Sequence, residues 1–306
     1  MSVTLDRVKG CLLGLALGDA LGAPCEGGLL ERTFWRVIGR TSGGEMRWTD
    51  DTQMSIDLAE SLLARGSLDP DDLARRFAAS YRWSRGYGPG AARVLKRIAR
   101  GADWRSANRS VYPSGSFGNG AAMRAPVIGL FYASRPDEFD AAIRLSAKVT
   151  HAHPLGIEGA VLLATATRAA LQGRTRPEIF EEAASAARLE PFTTRLTVAR
   201  RWLESAADVD RRAVLRELGN RISAQESVVT ALYVAFRFWD APYLDLIRFA
   251  LALGGDVDTI AAMAGAVWGA GHGLGQLPAE PLARLEDSAG ISALASKLHS
   301  RLANTA

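Results

Sequence analysis

Apolar residues return every three or four positions along nearly the whole of this 306-residue chain, the period of helices with one buried face. Convincing alternation of apolar and polar residues, the mark of a half-buried strand, is absent. The pattern predicts helices over residues 4–21, 51–65, 70–84, 89–100, 119–133, 137–149, 155–172, 177–188, 192–206, 210–219, 225–240, 243–253, 258–271 and 289–303. Clusters of Gly, Pro and Ser separate them, as at 86–90, 113–120 and Ala241-Pro242. No repeat, low-complexity tract or linker interrupts the series, so residues 1–306 read as one all-α domain. In the first predicted helix Gly10, Gly14, Gly18 and Gly22 fall on one face, where small residues let another helix backbone come close. Asp19 and Glu26 lie at the end of that helix and in the loop after it, placed to face a site.

Composition adds bounds. At 48% hydrophobic and 23% charged residues the chain has ample core. Its 37 Lys and Arg against 33 Asp and Glu give a formal charge of +4. That suits an anionic substrate such as a phosphate ester, and reads as too weak and dispersed for nucleic-acid binding. Cys11 and Cys25 form no CxxC and no disulfide framework, so a reducing cytoplasm is the simplest setting. The apolar run from Cys11 to Leu17 is ended by Asp19 and reads as too short to span a bilayer. It continues into a patterned helix, unlike a signal peptide, so no membrane association is expected.

The chemistry concentrates in two acidic clusters about 200 residues apart, Trp48-Thr49-Asp50-Asp51-Thr52 and Gly254-Gly255-Asp256-Val257-Asp258-Thr259. Each precedes a helix-period run. Either alone reads as helix capping, since Thr and Asp oxygens accept from free N–H groups. Asp256 after two glycines suits a turn, and Asp258 or Thr259 a cap. Together they offer another reading. Carboxylates and hydroxyls are the hard donors that Mg²⁺, Mn²⁺ or Ca²⁺ prefer. Four carboxylates offset the positive partial charge of two converging helix starts, enough for two divalent ions. The same N–H groups suit a diphosphate.

Tyr112-Pro113-Ser114-Gly115-Ser116-Phe117-Gly118-Asn119-Gly120 is the richest loop. Its glycines allow close backbone approach and an anion nest, although it is neither a Walker loop nor a Rossmann fingerprint. A plain loop fits it equally well. His151 and His153 are two apart, not the four of a helical zinc pair, and each reads as structural or hydrogen-bonding. His299 reads as exposed. No GxSxG or Cys–His pattern suggests a covalent nucleophile.

Taken in order, these segments resemble the ADP-ribosylglycohydrolase family over almost the whole chain. The resemblance rests on Gly14-Leu-Ala-Leu-Gly18-Asp19-Ala-Leu-Gly22, Trp48-Thr49-Asp50-Asp51-Thr52, Gly118-Asn119-Gly120-Ala121-Ala122-Met123-Arg124, Thr150-His151 and Gly255-Asp256-Val257-Asp258-Thr259-Ile260-Ala261. It implies a single orthogonally packed helical bundle with two Mg²⁺ or Mn²⁺ ions in a central cleft. The implied metal ligands are Thr49, Asp50, Asp51, Asp256, Asp258 and Thr259. Glu26 matches the family's mobile acidic residue, and with Asp258 is the implied catalytic pair. Gly115, Ser116, Phe117, Gly118, Asn119 and Gly120 match the part that holds the diphosphate and adenosine portions of ADP-ribose, and His151 a position near the distal part.

Two stretches are similar to the branch that acts on O-linked ADP-ribose (serine-linked, poly- or O-acetyl-ADP-ribose). One is Arg85-Gly86-Tyr87-Gly88-Pro89-Gly90, which lacks the Asp of the arginine-specific branch; Gly86, Tyr87 and Gly88 are implied to contact substrate. The other is Ala224-Gln225-Glu226-Ser227-Val228-Val229-Thr230-Ala231-Leu232-Tyr233. Phe117 departs from that branch's usual Tyr, which keeps an aromatic but loses a hydroxyl. The implied activity is metal-assisted hydrolysis of an ADP-ribosyl glycosidic bond on an ADP-ribosylated protein. Arginine–ADP-ribose hydrolysis, a silent ADP-ribose-binding module and a scaffold with capping acids are the alternatives. The oligomeric state is left open.

Overall fold

The computed structural model describes residues 3–205 and 209–303. The chain forms α1 (Leu5–Gly22), α2 (Leu29–Ile38), α3 (Asp50–Arg65), α4 (Pro70–Ser80), α5 (Pro89–Ala99), α6 (Trp104–Val111), α7 (Ala125–Phe131), α8 (Pro136–Lys148), α9 (Pro154–Leu171), α10 (Arg176–Ala186), α11 (Glu190–Ser205), α12 (Arg211–Glu217), α13 (Ala224–Arg237), α14 (Tyr243–Leu253), α15 (Val257–His272), α16 (Ala279–Ala283) and α17 (Ser288–Ala303). Among the described residues the extended backbone amounts to three isolated bridges. The fold is the expected all-α bundle.

The glycine stripe organises its centre. A Cβ at Gly10, Gly14 or Gly18 would run into the carbonyl of Gly269, Gly265 or Ala261 on α15. The two helices therefore lie antiparallel in backbone contact, and neither tolerates a side chain on that face. Tyr243 of α14 donates from its hydroxyl to the Gly14 carbonyl at 2.6 Å, fixing a third helix to the pair. At the end of the stripe Gly22 abuts Asp258, since a Cβ there would meet the Asp258 Cα. The close approach thus sets the end of α1 beside the start of α15. α9, α13 and α15 are buried almost all round, as helices in the middle of a bundle must be.

Several boundaries differ from the sequence pattern. The helix expected over 119–133 is a 3₁₀ turn, Asn119–Ala121, followed by α7. Pro126 has no N–H to donate and suits a helix start, so the helix begins anew there. α4 ends at Ser80, short of 84. α2, α6 and α16 were not foreseen. α6 is polar on most of its surface and buries only Trp104, Ala107 and Asn108. The reading of the N-terminal run as too short also needs correction: Leu5–Cys25 is long and apolar enough to cross a membrane by length and composition, but 78% of its most apolar window is buried in the bundle. It is the core helix.

Candidate active site

The two acidic clusters meet as the metal reading requires, and they are built differently. Thr49 caps α3, its side chain accepting from the Asp51 N–H at 3.3 Å. A second cap comes from α1. The buried carboxylate of Asp19 accepts from the Thr49 N–H at 2.9 Å, the Thr52 N–H at 3.0 Å and the Thr52 hydroxyl at 2.6 Å. Asp19 thus faces the site, but its oxygens are spent on α3. Asp256, at the start of α15, makes no cap bond. Asp258 lies within the first turn rather than at the cap, and accepts from the Thr259 N–H at 2.8 Å. Gly254 and Gly255 have positive φ, so the turn before Asp256 is as expected.

The carboxylates crowd together. Ligand oxygens of Asp19, Asp51 and Asp258 lie within 4.8 Å of one another, as do those of Glu26, Asp256 and Asp258. Burial first, then neighbouring carboxylates, pushes Asp50, Asp51 and Asp258 well above the usual carboxylate range. Burial pushes Asp19 and Asp256 up to about 6 against the hydrogen bonds they accept. None of the five aspartates has a Lys or Arg nitrogen within 4 Å among the described residues. One oxygen of Asp51 accepts from the Thr49 hydroxyl at 3.1 Å and the Thr259 hydroxyl at 3.3 Å; the other is buried without a partner. Such uncompensated buried charge is costly, and a divalent cation relieves it. The donor set, all oxygen, fits Mg²⁺ or Mn²⁺ and not a thiolate-seeking metal. Of the residues matched to metal ligands, Asp50, Asp51, Asp256, Asp258 and Thr259 line the cleft, while Thr49 stands behind Asp51.

From this acidic end a cleft of about 870 Å³, its open mouth included, runs past Gly86, Gly88, Ser116, Gly118, Asn119, Gly120 and His151. Asn119 ties its two ends together: its amide nitrogen donates to Asp256 and, at 3.0 Å, to the Ser227 hydroxyl. The anion nest expected of the glycine loop is only partly open. The N–H groups of Gly115, Gly118 and Asn119 are committed to Tyr112, Ser116 and Ile222. Gly115 is buried in a left-handed turn against His153, outside the cleft wall. Phe117 also stands off the wall, 52% exposed, with its ring edge-on to His153 at 5.8 Å. Tyr87 is likewise not on the wall; it is buried against Tyr81 at 5.0 Å, and burial pushes its hydroxyl upward. Its neighbour Gly86 does reach the site, at positive φ with Asp50 close by. Arg85 holds that loop by a bidentate pair with Glu286 at 2.6 and 2.9 Å and by a bond to the Trp48 carbonyl.

Sequence reasoning quoted Arg124 in a motif without giving it a role. Its side chain is fully buried and has no carboxylate partner. It donates to the carbonyls of Gly120 and Ser146 and, at 2.9 Å, to the Thr150 hydroxyl. Thr150 Oγ1 also lies 2.8 Å from His151 Nδ1, in a hydrogen bond whose direction follows the ring's tautomer. His151 Nε2 lies next to Gly118. Burial, reinforced by Arg124, pushes His151 down to about 3, so the ring is neutral at working pH. Gly120 is required here, because a Cβ would sit 2.6 Å from the imidazole. His153 accepts from the Leu155 N–H at 3.2 Å, the structural role expected. His299 is not simply exposed: it is half-buried with Nε2 3.1 Å from the Val3 carbonyl. Met54, Ala91, Val94, Tyr112, Met123 and Ile222 also line the cleft; helical period alone assigns such apolar residues to the core or leaves them as loop.

A helical bundle with an acidic, all-oxygen centre that could hold metal ions at one end of an open cleft has the architecture of a hydrolase. The ADP-ribosylglycohydrolase family model matches residues 1–306. The chain is similar to ADP-ribosylhydrolase ARH3 of Bos taurus, 37% identical over 97% of this chain and 93% of that one. It is 29% identical to ADP-ribosyl-[dinitrogen reductase] glycohydrolase of Rhodospirillum rubrum, over 92% and 90%. A solved structure titled as an ADP-ribosylglycohydrolase-related protein complex superposes with a TM-score of 0.69 at 30% identity, covering 97% of this chain and 98% of that one. The chain belongs to the ADP-ribosylglycohydrolase family, and is a glycosidase acting on ADP-ribosylated substrates.

Proposed function

We propose that the chain hydrolyses O-linked ADP-ribose on proteins, with two divalent ions, Mg²⁺ or Mn²⁺, held by Asp50, Asp51, Asp256, Asp258, Thr259 and Thr49. The observation that carries this is the convergence of Asp51, Asp256, Asp258 and Glu26 at one end of the cleft. When bound, the ions supply Lewis-acid polarisation of the ribose hydroxyls and of water. The other groups belong to the chain. Neutral His151 faces the cleft, and the Ser116 N–H, which has no protein acceptor among the described residues, is free for the diphosphate. Holding that remote portion orients the reacting ribose. As the bond from the anomeric carbon to the acceptor oxygen breaks, Glu26 delivers a proton to that oxygen; a water oxygen takes its place on the carbon, and the proton that water loses restores Glu26. Asp258, whose oxygens lie near both carboxylate groups, keeps the centre assembled.

For linkage, the stretch of wall made by Gly86, Gly88, Pro89 and Gly90 contributes no carboxylate of its own to meet a guanidinium. An O-linked acceptor needs none. The greater identity to ADP-ribosylhydrolase ARH3 than to the dinitrogen reductase enzyme supports the same reading. Side-by-side kcat/KM on serine- and arginine-linked ADP-ribose tests it. A preference of at least about tenfold for the serine linkage, ~1.4 kcal/mol, is expected; equal values or the reverse would overturn the linkage. Both cysteines are free, Cys11 buried with its thiol pushed up to about 12. We accordingly place the enzyme in the cytoplasm, which fractionation of cells checks.

A further inference from the structure

The positive charge of this chain is not dispersed. Residues 82–118 carry eight Lys or Arg against one Asp, a net +7 in a chain whose total is +4. The one acid, Asp103, is engaged as the cap of α6 and pairs with Arg105 at 3.2 Å. Arg93, Lys96, Arg97 and Arg100 stand at exposed positions of α5 and, with Ser110 and Val111 of α6, line one concavity. None of the four has a carboxylate within 4 Å, whereas Arg76, Arg144, Arg200 and Arg284 elsewhere on the surface are paired. Arg93 and Arg97 are four apart on the helix, as are Lys96 and Arg100, and like charges at that spacing repel. The arrangement opposes helix stability and favours an anion.

Its place in the fold says which anion. α5 stands between this concavity and the catalytic cleft, to which its other side contributes Ala91 and Val94, and the two meet where Val111 of the concavity is followed by Tyr112 of the cleft. A molecule that fills the cleft and continues past Tyr112 meets this face. No aromatic ring lines the concavity, so it lacks the stacking platform that binds single-stranded bases. We infer that the outer face of α5 and α6 binds the diphosphate groups of further ADP-ribose units in a polymeric substrate, one unit of which occupies the cleft. This rests on the function proposed above.

The test is the full-length, metal-loaded enzyme with Arg93→Ala, Arg97→Ala and Arg100→Ala combined. These exposed, unpaired side chains leave the fold intact, which the melting temperature checks. The KM for ADP-ribose polymer should rise at least about tenfold, and its log–log salt slope should flatten by about two, at roughly 0.7 per lost phosphate contact. Turnover of a serine-linked mono-ADP-ribosyl peptide should keep both kcat and KM. Equal KM shifts on the two substrates, or none on the polymer, overturn the inference. A single-stranded oligonucleotide of matched charge serves as competitor. If it displaces labelled polymer as well as unlabelled polymer does, the surface belongs to nucleic acid and the inference falls. Polymer binding by fluorescence anisotropy in excess chelator separates the two claims. Binding that depends on the three arginines in an enzyme that cleaves neither substrate would sink the proposed function and leave the surface standing.

Discussion

The starts of α3 and α15 look alike in sequence and are built differently. Both are Asp- and Thr-rich and both are buried. The start of α3 is closed, with Thr49 capping it locally and Asp19 reaching across from α1 to take three further donors. The start of α15 is open, since Asp256 caps nothing and bonds instead to Asn119 in the substrate loop. Donors from within the protein hold the α3 start yet leave one oxygen of Asp51 without a partner, while the α15 start lacks a side-chain cap and bonds to the substrate loop. Both starts present carboxylates to the cleft, and spacing along the chain does not reveal which of them also spends oxygens on a cap.

Asp258→Asn should break the open start. It removes charge with little change of volume, so the chain should stay folded. Turnover should fall at least about 10³-fold, ~4 kcal/mol in the barrier; a variant within tenfold of wild type would remove Asp258 from the chemistry. Glu26→Gln acts between the two starts and should lower kcat about 10²-fold with ADP-ribose affinity retained. A matching loss of affinity with normal turnover of bound substrate would make it a binding residue. Asp19→Ala should break the closed start, costing about 2 kcal/mol in denaturant unfolding as buried donors of α3 lose their acceptor. Unchanged stability would mean that Thr49 alone holds that helix.

An effect confined to a pH window is expected at Asp57, farther along α3, whose carboxylate accepts from Ser80 and Gln53. Burial pushes it up to about 7 from 3.8. The folded state therefore holds the proton more tightly than the unfolded chain. The stability this contributes is present below the unfolded value near 4 and is lost as pH rises through about 7. Relative to Asp57→Asn, the wild type should lose melting temperature between those values; parallel curves would show that Asp57 does not titrate there.

Much of this was legible in the sequence. The glycine period announced that some helix packs closely on α1, because only a missing Cβ permits backbone approach at every fourth residue, but it did not say that the partner is α15. The paired acids announced the centre because four carboxylates need a counter-charge. What stayed hidden depended on orientation across the fold. Tyr87 sits between two lining glycines yet turns inward onto Tyr81. Arg124, quoted only as the last residue of a motif, gains a role once its burial among carbonyls is seen. The +4 total concealed a local +7, because charge summed over a chain says nothing of where it gathers.

The meeting of Gly22 with Asp258 has a consequence for the order in which the molecule is made. Its two members are separated by more than 200 residues of chain, and contacts of such sequence separation close late and slowly. While the chain is being synthesised, α1 leaves the ribosome with a bare glycine face and must wait for α15. Until then the aspartates of α3 stand without those of α15, so a nascent chain cannot capture its ions with the affinity of the finished protein. On the proposed function, any ion held jointly by the two starts is captured late in folding, once α1 and α15 have met.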